Sequence, residues 1–309
     1  MNQRRSHGRR GKGVLRTRAE YLLYRSMLTV IRAAGPERTG HWGERLGVFA
    51  SGLLRGRTRM AVDNVMKSFP GKSRAECREI VRECWRYFGR AAFEYLRFQY
   101  ATRDEIESRC EILGFDHFET ALARDRGVIL LSAHYGSWEL GAMLLASLGA
   151  PVTTVARPLD NALLDRDLRR SRTRSGLELV DRRKAARALI RALDEKHVIV
   201  LLPDQAARPS EGILVPFLGR PAWTTAAPAR LALRFGAPIV FVFCTPTGER
   251  SRIEFQEPIF VDELPESDRA PEAITQRIND VISAQIREAP QYWLWMHNRW
   301  KRAATGRNG

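Results

Sequence analysis

Residues 128–140 read VILLSAHYGSWEL. The first four are all apolar, a run that suits a strand buried on both faces. From Ser137 onward the apolar spacing predicts a helix over residues 137–148. His134 therefore falls on the turn between a strand and a helix. Ligands of α/β sheets gather at such places, at the carboxyl ends of strands. Gly136 allows the tight backbone path that the turn needs. Glu139 lies in the first helical turn, where the helix dipole favours a carboxylate. From there it is expected to accept the Nδ1–H of His134, fix the tautomer and leave Nε2 free as a base. Taken alone, the His-x4-Glu spacing fits a merely structural histidine as well, because short motifs match by chance.

Working outward, strands are predicted over residues 152–156, 177–180, 198–202 and 238–244, with helices over 115–124, 161–174, 184–194 and 225–235 between them. Edge strands are expected at 111–114 and 253–255, and a last amphipathic helix at 271–288. This order predicts an α/β fold, a largely parallel twisted sheet with helices on both faces, preceded by a helical N-terminal region. In that region Ser73 with Glu76, and Thr102 with Glu105, have the spacing of capping boxes. The GKS at 71–73 is no phosphate loop, since Met66 stands where its first glycine belongs. The chain divides into a disordered basic arm (1–13), a helical membrane-associating region (14–110) and an α/β catalytic domain (111–302). The last two are expected to form one compact unit.

The 309 residues include 51 Lys+Arg against 35 Asp+Glu, a formal charge of +16. Such a balance points to an anionic partner: nucleic acid, an acidic protein or phosphate-bearing lipid. No nucleic-acid-binding signature accompanies it, so nucleic acid is not an expected partner. The first eighteen residues hold seven basic residues and no acid. Beyond them Leu15, Ala19, Leu22, Leu23, Met27, Val30 and Ile31 follow helical spacing, and Arg18, Arg25 and Arg32 form a separate stripe. This pattern suits an anionic membrane surface, or else a surface helix packed on the domain. Neither a cleavable leader nor an apolar run of spanning length is expected. Cys77, Cys84, Cys110 and Cys244 form no CxxC pair and read as reduced core thiols, with no metal site implied.

Other strand ends share the rim of His134. Arg157 is placed to neutralise a phosphate, or to make a surface ion pair. Asp204 is a second carboxylate for His134, a partner for Arg157 or a loop cap, and Gln205 beside it is a substrate-binding candidate. The stretch 207–225, ARPSEGILVPFLGRPAWTT, reads as a long loop whose apolar residues either bind something or pack. QYWLWMHNRWK near the C-terminus interleaves aromatic and basic residues, for a membrane interface, for stacked bases or for the core. The basic run 165–191 is a solvated helix face or a dock for an acidic partner.

HYGSWE at 134–139, ARP at 156–158, PDQ at 203–205, VPFLGRPAWTT at 215–225 and YWLWMHNRWK at 292–301 occur in this order. Together they resemble the late acyltransferases of lipid A biosynthesis, the lauroyl and myristoyl transferases. These belong to the wider HX4D/E glycerolipid acyltransferase group. The resemblance implies that His134 is the general base toward a lipid hydroxyl and that Glu139 orients it. Asp204 would be an acidic group near the histidine, and Arg157 a phosphate ligand. The implied donor is an acyl thioester of acyl carrier protein or coenzyme A, and the acceptor a glycolipid such as a lipid A precursor. No cofactor is implied. Backbone N–H groups near Gly136 are candidate oxyanion donors. Many members carry an N-terminal stretch long enough to insert in the bilayer. Here Arg25 interrupts it, so peripheral attachment to the cytoplasmic face of a bacterial inner membrane is expected. Enzymes acylating phosphatidylinositol mannosides share this texture, which leaves the acceptor open. The alternatives are a non-catalytic protein that binds anionic lipid or nucleic acid, and a serine hydrolase. Against the hydrolase, Ser137 lacks a G-x-S-x-G elbow.

Overall fold

A computed structural model of the chain describes residues 13–99, 101–147, 151–174, 176–181, 184–248 and 250–303. The basic arm lies outside the described residues, apart from Gly13. The N-terminal region is helical, as the spacing predicts: α1 (Val14–Ala33), α2 (Pro36–Leu53), α3 (Arg55–Ser68), α4 (Arg74–Phe98) and the short α5 (Arg103–Glu107). Both capping boxes form. At the start of α4 the Ser73 hydroxyl accepts the Glu76 N–H (3.3 Å) while Glu76 Oε2 accepts the Ser73 N–H (2.7 Å). Helices α2 and α4 pack backbone against backbone. A Cβ on Gly47 would overlap the Trp85 carbonyl oxygen, and one on Gly89 that of Gly43.

The packed face of α1 differs from the expected one. Tyr24, Leu28 and Ile31 are buried, while Leu15, Leu22, Leu23 and Val30 stay exposed, Leu15 at 84%. The helix is anchored to the end of α4, where the Tyr24 hydroxyl donates to Gln99 Oε1 (2.5 Å), and to a later helix, α8 (Ala162–Arg174). Asn161 Nδ2 donates to the Thr17 carbonyl oxygen at 3.0 Å, and Arg25 meets Asp167 at 3.4 Å. These contacts rotate a different stripe inward.

Downstream the alternation of strands and helices is as expected. The strands are β1 (Cys110–Leu113), β2 (Val128–Leu131), β3 (Val152–Ala156), β4 (Leu177–Asp181), β5 (Val198–Leu201), β8 (Ile239–Thr247) and β9 (Arg250–Phe255), and they form one sheet in the order β1-β9-β8-β2-β5-β3-β4. The helices α6 (Phe115–Leu122), α7 (Trp138–Ser147), α9 (Ala185–Asp194), α10 (Ala227–Phe235) and α11 (Pro271–Glu288) complete the layers. Strands β8, β2, β5, β3 and β4 run one way; β9 is antiparallel to β8 and parallel to β1. Thus β9 is not the edge expected for residues 253–255; β1 covers it. All four residues of β2 are buried. Val128 and Leu130 enter one core, beneath α6 and α7, while Ile129 and Leu131 enter the other, beneath α10 and α11.

The expected loop 207–225 is a hairpin, β6 (Gly212–Phe217) and β7 (Arg220–Thr225). Pro216 faces Pro221 across it, and prolines inside both strands hid the pattern from a sequence reading. Its two-residue turn, Leu218–Gly219, has positive φ at both positions, the geometry that suits a tight hairpin. Phe217 and Leu218 are buried, the packed alternative, while Leu214 stays exposed. The C-terminal aromatics are also core: Trp293, Trp295 and Trp300 are all buried. The four cysteines are free and buried, the core role expected of them.

Candidate active site

The turn after β2 carries His134 onto the carboxyl rim of the sheet. Its backbone is held from two sides. The Leu294 N–H donates to the His134 carbonyl oxygen (3.0 Å), the Gly136 N–H to Tyr292 O (2.9 Å), and the Ser137 N–H to Cys244 O (2.9 Å). Gly136 has φ +61, and a Cβ there would collide with the Cys244 carbonyl oxygen, so only glycine fits. These bonds also correct one expectation. The N–H groups of Gly136 and Ser137 are already donated, so they are not oxyanion donors.

The partner of the imidazole is Asp204, not Glu139. Asp204 follows β5, the strand paired with β2, so the two ends arrive side by side. Its Oδ1 accepts the Nδ1–H of His134 at 2.9 Å. Its Oδ2 accepts the His134 backbone N–H at 3.0 Å and the indole N–H of Trp293 at 2.9 Å. With both oxygens engaged, Asp204 neither pairs with Arg157 nor serves as a simple loop cap. It is 1% exposed, and a buried carboxylate needs such donors. Burial pushes its pKa up, but the facing His134 charge and the bonds from His134 and Trp293 outweigh burial and hold it below the usual value. For His134 burial acts to lower the pKa. The charge of Asp204, its hydrogen bond and, last, the charge of Glu139 outweigh that and raise it.

Fixing the proton on Nδ1 leaves Nε2 as the acceptor, and the Gln205 side-chain amide sits on it at 3.0 Å. Gln205 is held in turn by Arg299. This buried guanidinium donates to the carbonyl oxygens of Gln205 (3.4 Å) and Trp223 (2.6 Å) and to Thr224 Oγ1 (2.5 Å). Burial pulls Arg299 down to about 10, still well above neutrality. His297 accepts the Ala206 N–H at 3.4 Å. Burial, with the Lys301 charge behind it, lowers its pKa to about 4, so it stays a neutral acceptor.

Glu139 lies where the sequence puts it, in the first turn of α7, but it faces Arg172 of α8. The pair is two-pronged, with Nη2–Oε1 at 2.5 Å and Nε–Oε2 at 3.2 Å. The nearer, stronger cation captures the carboxylate, and the helix direction carries it away from Nδ1. The basic run containing Arg172 is therefore partly turned inward, toward the site.

His134, Glu139, Arg157 and Arg172 line one cavity of about 260 Å³. Its remaining wall is largely apolar, with Leu145, Leu177, Leu179, Val200 and Val242 contributed by α7 and the strands. It runs from Arg157, just past β3, to Leu177, the first residue of β4. A five-residue strand spans about 13–17 Å, so the cavity follows the sheet for roughly the length of a strand. The trough pairs a base and cations at the rim with an apolar interior.

A family model described as bacterial lipid A biosynthesis acyltransferase matches residues 12–302. The chain belongs to this acyltransferase family. It is similar to the lipid A biosynthesis lauroyltransferase of Escherichia coli (strain K12), 29% identical over 84% of each chain. It is also similar to the palmitoleoyltransferase of that organism, 26% identical over 85% of each, and to a phosphatidylinositol mannoside acyltransferase of Mycolicibacterium smegmatis, 26% identical over 72% of each. The protein is an acyltransferase.

In this acyltransferase the structure brings together His134, Asp204 and Gln205. Glu139 and Arg157 lie on the same cavity, and Gly136 shapes the turn. Sequence reasoning missed Trp293, Arg299, His297 and Arg172. Trp293 and Arg299 sat in the aromatic–basic C-terminal stretch, whose mixed character was the available signal.

Proposed function

We propose that this acyltransferase moves a fatty acyl chain from an acyl thioester to a hydroxyl of a glycolipid such as a lipid A precursor. The reading rests on His134, oriented by Asp204, on the wall of a cavity with arginines at the rim and an apolar interior. The acyl chain would lie along the sheet, and Arg157 would hold a phosphate. The acceptor hydroxyl would displace the Gln205 amide from Nε2. His134 then takes the hydroxyl proton as the oxygen attacks the thioester carbonyl. Collapse of the tetrahedral adduct breaks the C–S bond, and the thiolate takes the proton from Nε2. The displaced Gln205 amide is the nearest side-chain donor for the oxyanion. No atom of the enzyme is acylated in this scheme.

The thioester carrier is either acyl carrier protein, whose acidity suits the +16 charge, or coenzyme A. We place the enzyme peripherally on the cytoplasmic face of a bacterial inner membrane, on an anionic surface. Exposed Leu22 and Leu23 on α1, with Trp42, Leu46, Phe49 and Leu53 on α2, support that attachment, with arginines beside them. Among the described residues no helix is long and apolar enough to cross a membrane. The similarity to a phosphatidylinositol mannoside acyltransferase supports a second acceptor class. Purified enzyme, given each thioester and each glycolipid, tests the proposal by mass spectrometry of the products. Transfer to a glycolipid that vanishes in His134→Ala is expected; full turnover in that variant would rule out the mechanism.

A further inference from the structure

A second set of openings lies beside α7, with Trp138 and Glu139 shared between its wall and that of the His134 cavity. An apolar cavity of about 230 Å³ is lined by Phe88, Ala91, Tyr95, Phe98, Trp138 and Met143, among others. A polar cleft of about 320 Å³ is lined by Arg32, Arg97, Arg109, Phe98, Glu105 and Ser108, with Ala101. Phe98 belongs to both, and a small opening shares Glu94, Phe98 and Leu140 with the first and Arg97, Phe98 and Arg109 with the second. The strand directions fix where this lies. β1 runs parallel to β9, β9 antiparallel to β8, and β8 parallel to β2. The start of β1, which Arg109 immediately precedes, therefore shares the rim with the end of β2 and His134. Arg109 flanks the catalytic turn on the β9–β1 side, as Arg157 does on the β3 side.

The charges here are unevenly matched. Arg90 is satisfied by Glu94 (2.8 Å) and Glu44 (3.0 Å), and Arg250 by the Cys110 carbonyl oxygen (3.0 Å). Glu105, the acid of the cleft, is engaged by the Thr102 N–H at 2.8 Å. Arg97 makes one long bond, 3.5 Å, to the Ile31 carbonyl oxygen. Among the described residues, no side-chain hydrogen bond or ion pair engages Arg109. Two half-buried guanidiniums thus face a cleft that holds one already-bonded carboxylate. Guanidinium forks suit phosphate oxygens, and the adjoining apolar cavity suits a hydrocarbon tail.

We infer that Arg97 and Arg109 bind the phosphate of a lipid whose chain occupies the apolar cavity beside Phe98 and Trp138, a site that Arg157 does not line. Its occupant is the acceptor lipid, held across the rim from the donor chain. That role rests on the transfer reaction proposed above; the phosphate–arginine contact does not.

The test is calorimetric titration of the full chain with octyl phosphate below its micelle concentration, beside octyl glucoside and inorganic phosphate. Octyl phosphate is expected to bind at least tenfold tighter than either. Arg109→Gln, which breaks no bond among the described residues, should cost about tenfold for octyl phosphate and nothing for octyl glucoside. Ala91→Phe, which fills the apolar cavity, should weaken octyl phosphate and spare inorganic phosphate. Arg157→Gln should leave in place the tight octyl phosphate binding that Arg109→Gln removes. The site is overturned if Arg109→Gln binds octyl phosphate like wild type, or if Arg157→Gln alone loses it. It is also overturned if inorganic phosphate binds as well as octyl phosphate, or if Arg109→Gln weakens only an acidic carrier protein. Transfer assays on the wild-type chain beside these titrations separate the two claims. Octyl phosphate binding by a wild-type chain that never acylates a glycolipid keeps this site and sinks the reaction, while transfer without octyl phosphate binding sinks the site alone.

Discussion

The catalytic rim and the N-terminal helical layer solve opposite problems. At the rim both ring nitrogens of His134 find their partners inside the protein. Asp204 alone receives three donors, from His134 twice and from Trp293. On α1 and α2, large apolar side chains are left uncovered, with Leu23 at 72% and Phe49 at 68% exposure. The first region is closed and already oriented for chemistry. The second leaves an apolar face for the proposed membrane surface to cover. On that proposal, preorganisation and attachment occupy separate helices and strands, so each can be disturbed without the other.

The sharpest break falls on the closed region. Asp204→Asn should reduce transfer by about 10³–10⁴-fold, the scale seen when the carboxylate orienting a catalytic histidine is neutralised. The pH profile gives a second readout. As the proposed base, His134 would work only when deprotonated, and Asp204 raises its pKa above the usual 6.5. The wild-type rate should therefore climb through a pH above that value. In Asp204→Asn burial acts without the opposing charge, so the acid limb should move to lower pH. A rate–pH series on both proteins checks this; an unmoved limb would disconnect Asp204 from the imidazole.

Changing Leu22, Leu23 and Phe49 together to Ser attacks the open region. At about 1 kcal/mol for each partly inserted side chain, affinity for anionic vesicles should fall by about a hundredfold in a sedimentation assay. Turnover of a detergent-dispersed acceptor should stay near wild type. Equal loss in both assays would mean that the two regions are not separable.

Glu139→Gln is the smallest expected effect, about tenfold in kcat/KM, since it weakens an ion pair with Arg172 at the cavity wall. Because Glu139 acts on His134 only at a distance, the acid limb should shift less than in Asp204→Asn. A larger shift would restore the direct glutamate–histidine contact that the sequence spacing suggested.

How far the sequence could be read follows from the range of each interaction. Strand β2, the capping boxes of α4 and α5, and the rim position of His134 are local patterns, and they were legible. The partner of the imidazole was not. Glu139 is five residues away along the chain but is drawn to Arg172, while Asp204 is brought in by the pairing of β5 with β2. Sheet order depends on which crossovers pack, so nothing local showed that β9 lies inside β1. The hairpin at residues 212–225 was hidden because Pro216 and Pro221 disguise its strands. On α1 the apolar residues form a wide belt, and the stripe that is buried is the one held by long-range contacts to α4 and α8.

The glycine contact between α2 and α4 has a mechanical consequence. With Gly43, Gly47 and Gly89 letting the backbones touch, no compressible side chain separates the helices. Helix α4 also carries Tyr87, whose hydroxyl lies 3.0 Å from the Ser137 hydroxyl on the catalytic turn. Phe49, α2, α4 and that turn therefore make a short, stiff strut. On the proposed attachment, however deeply the Phe49 face were immersed, the imidazole would stand at a fixed height above it, and lipids would present their reactive oxygens to the enzyme at that one altitude.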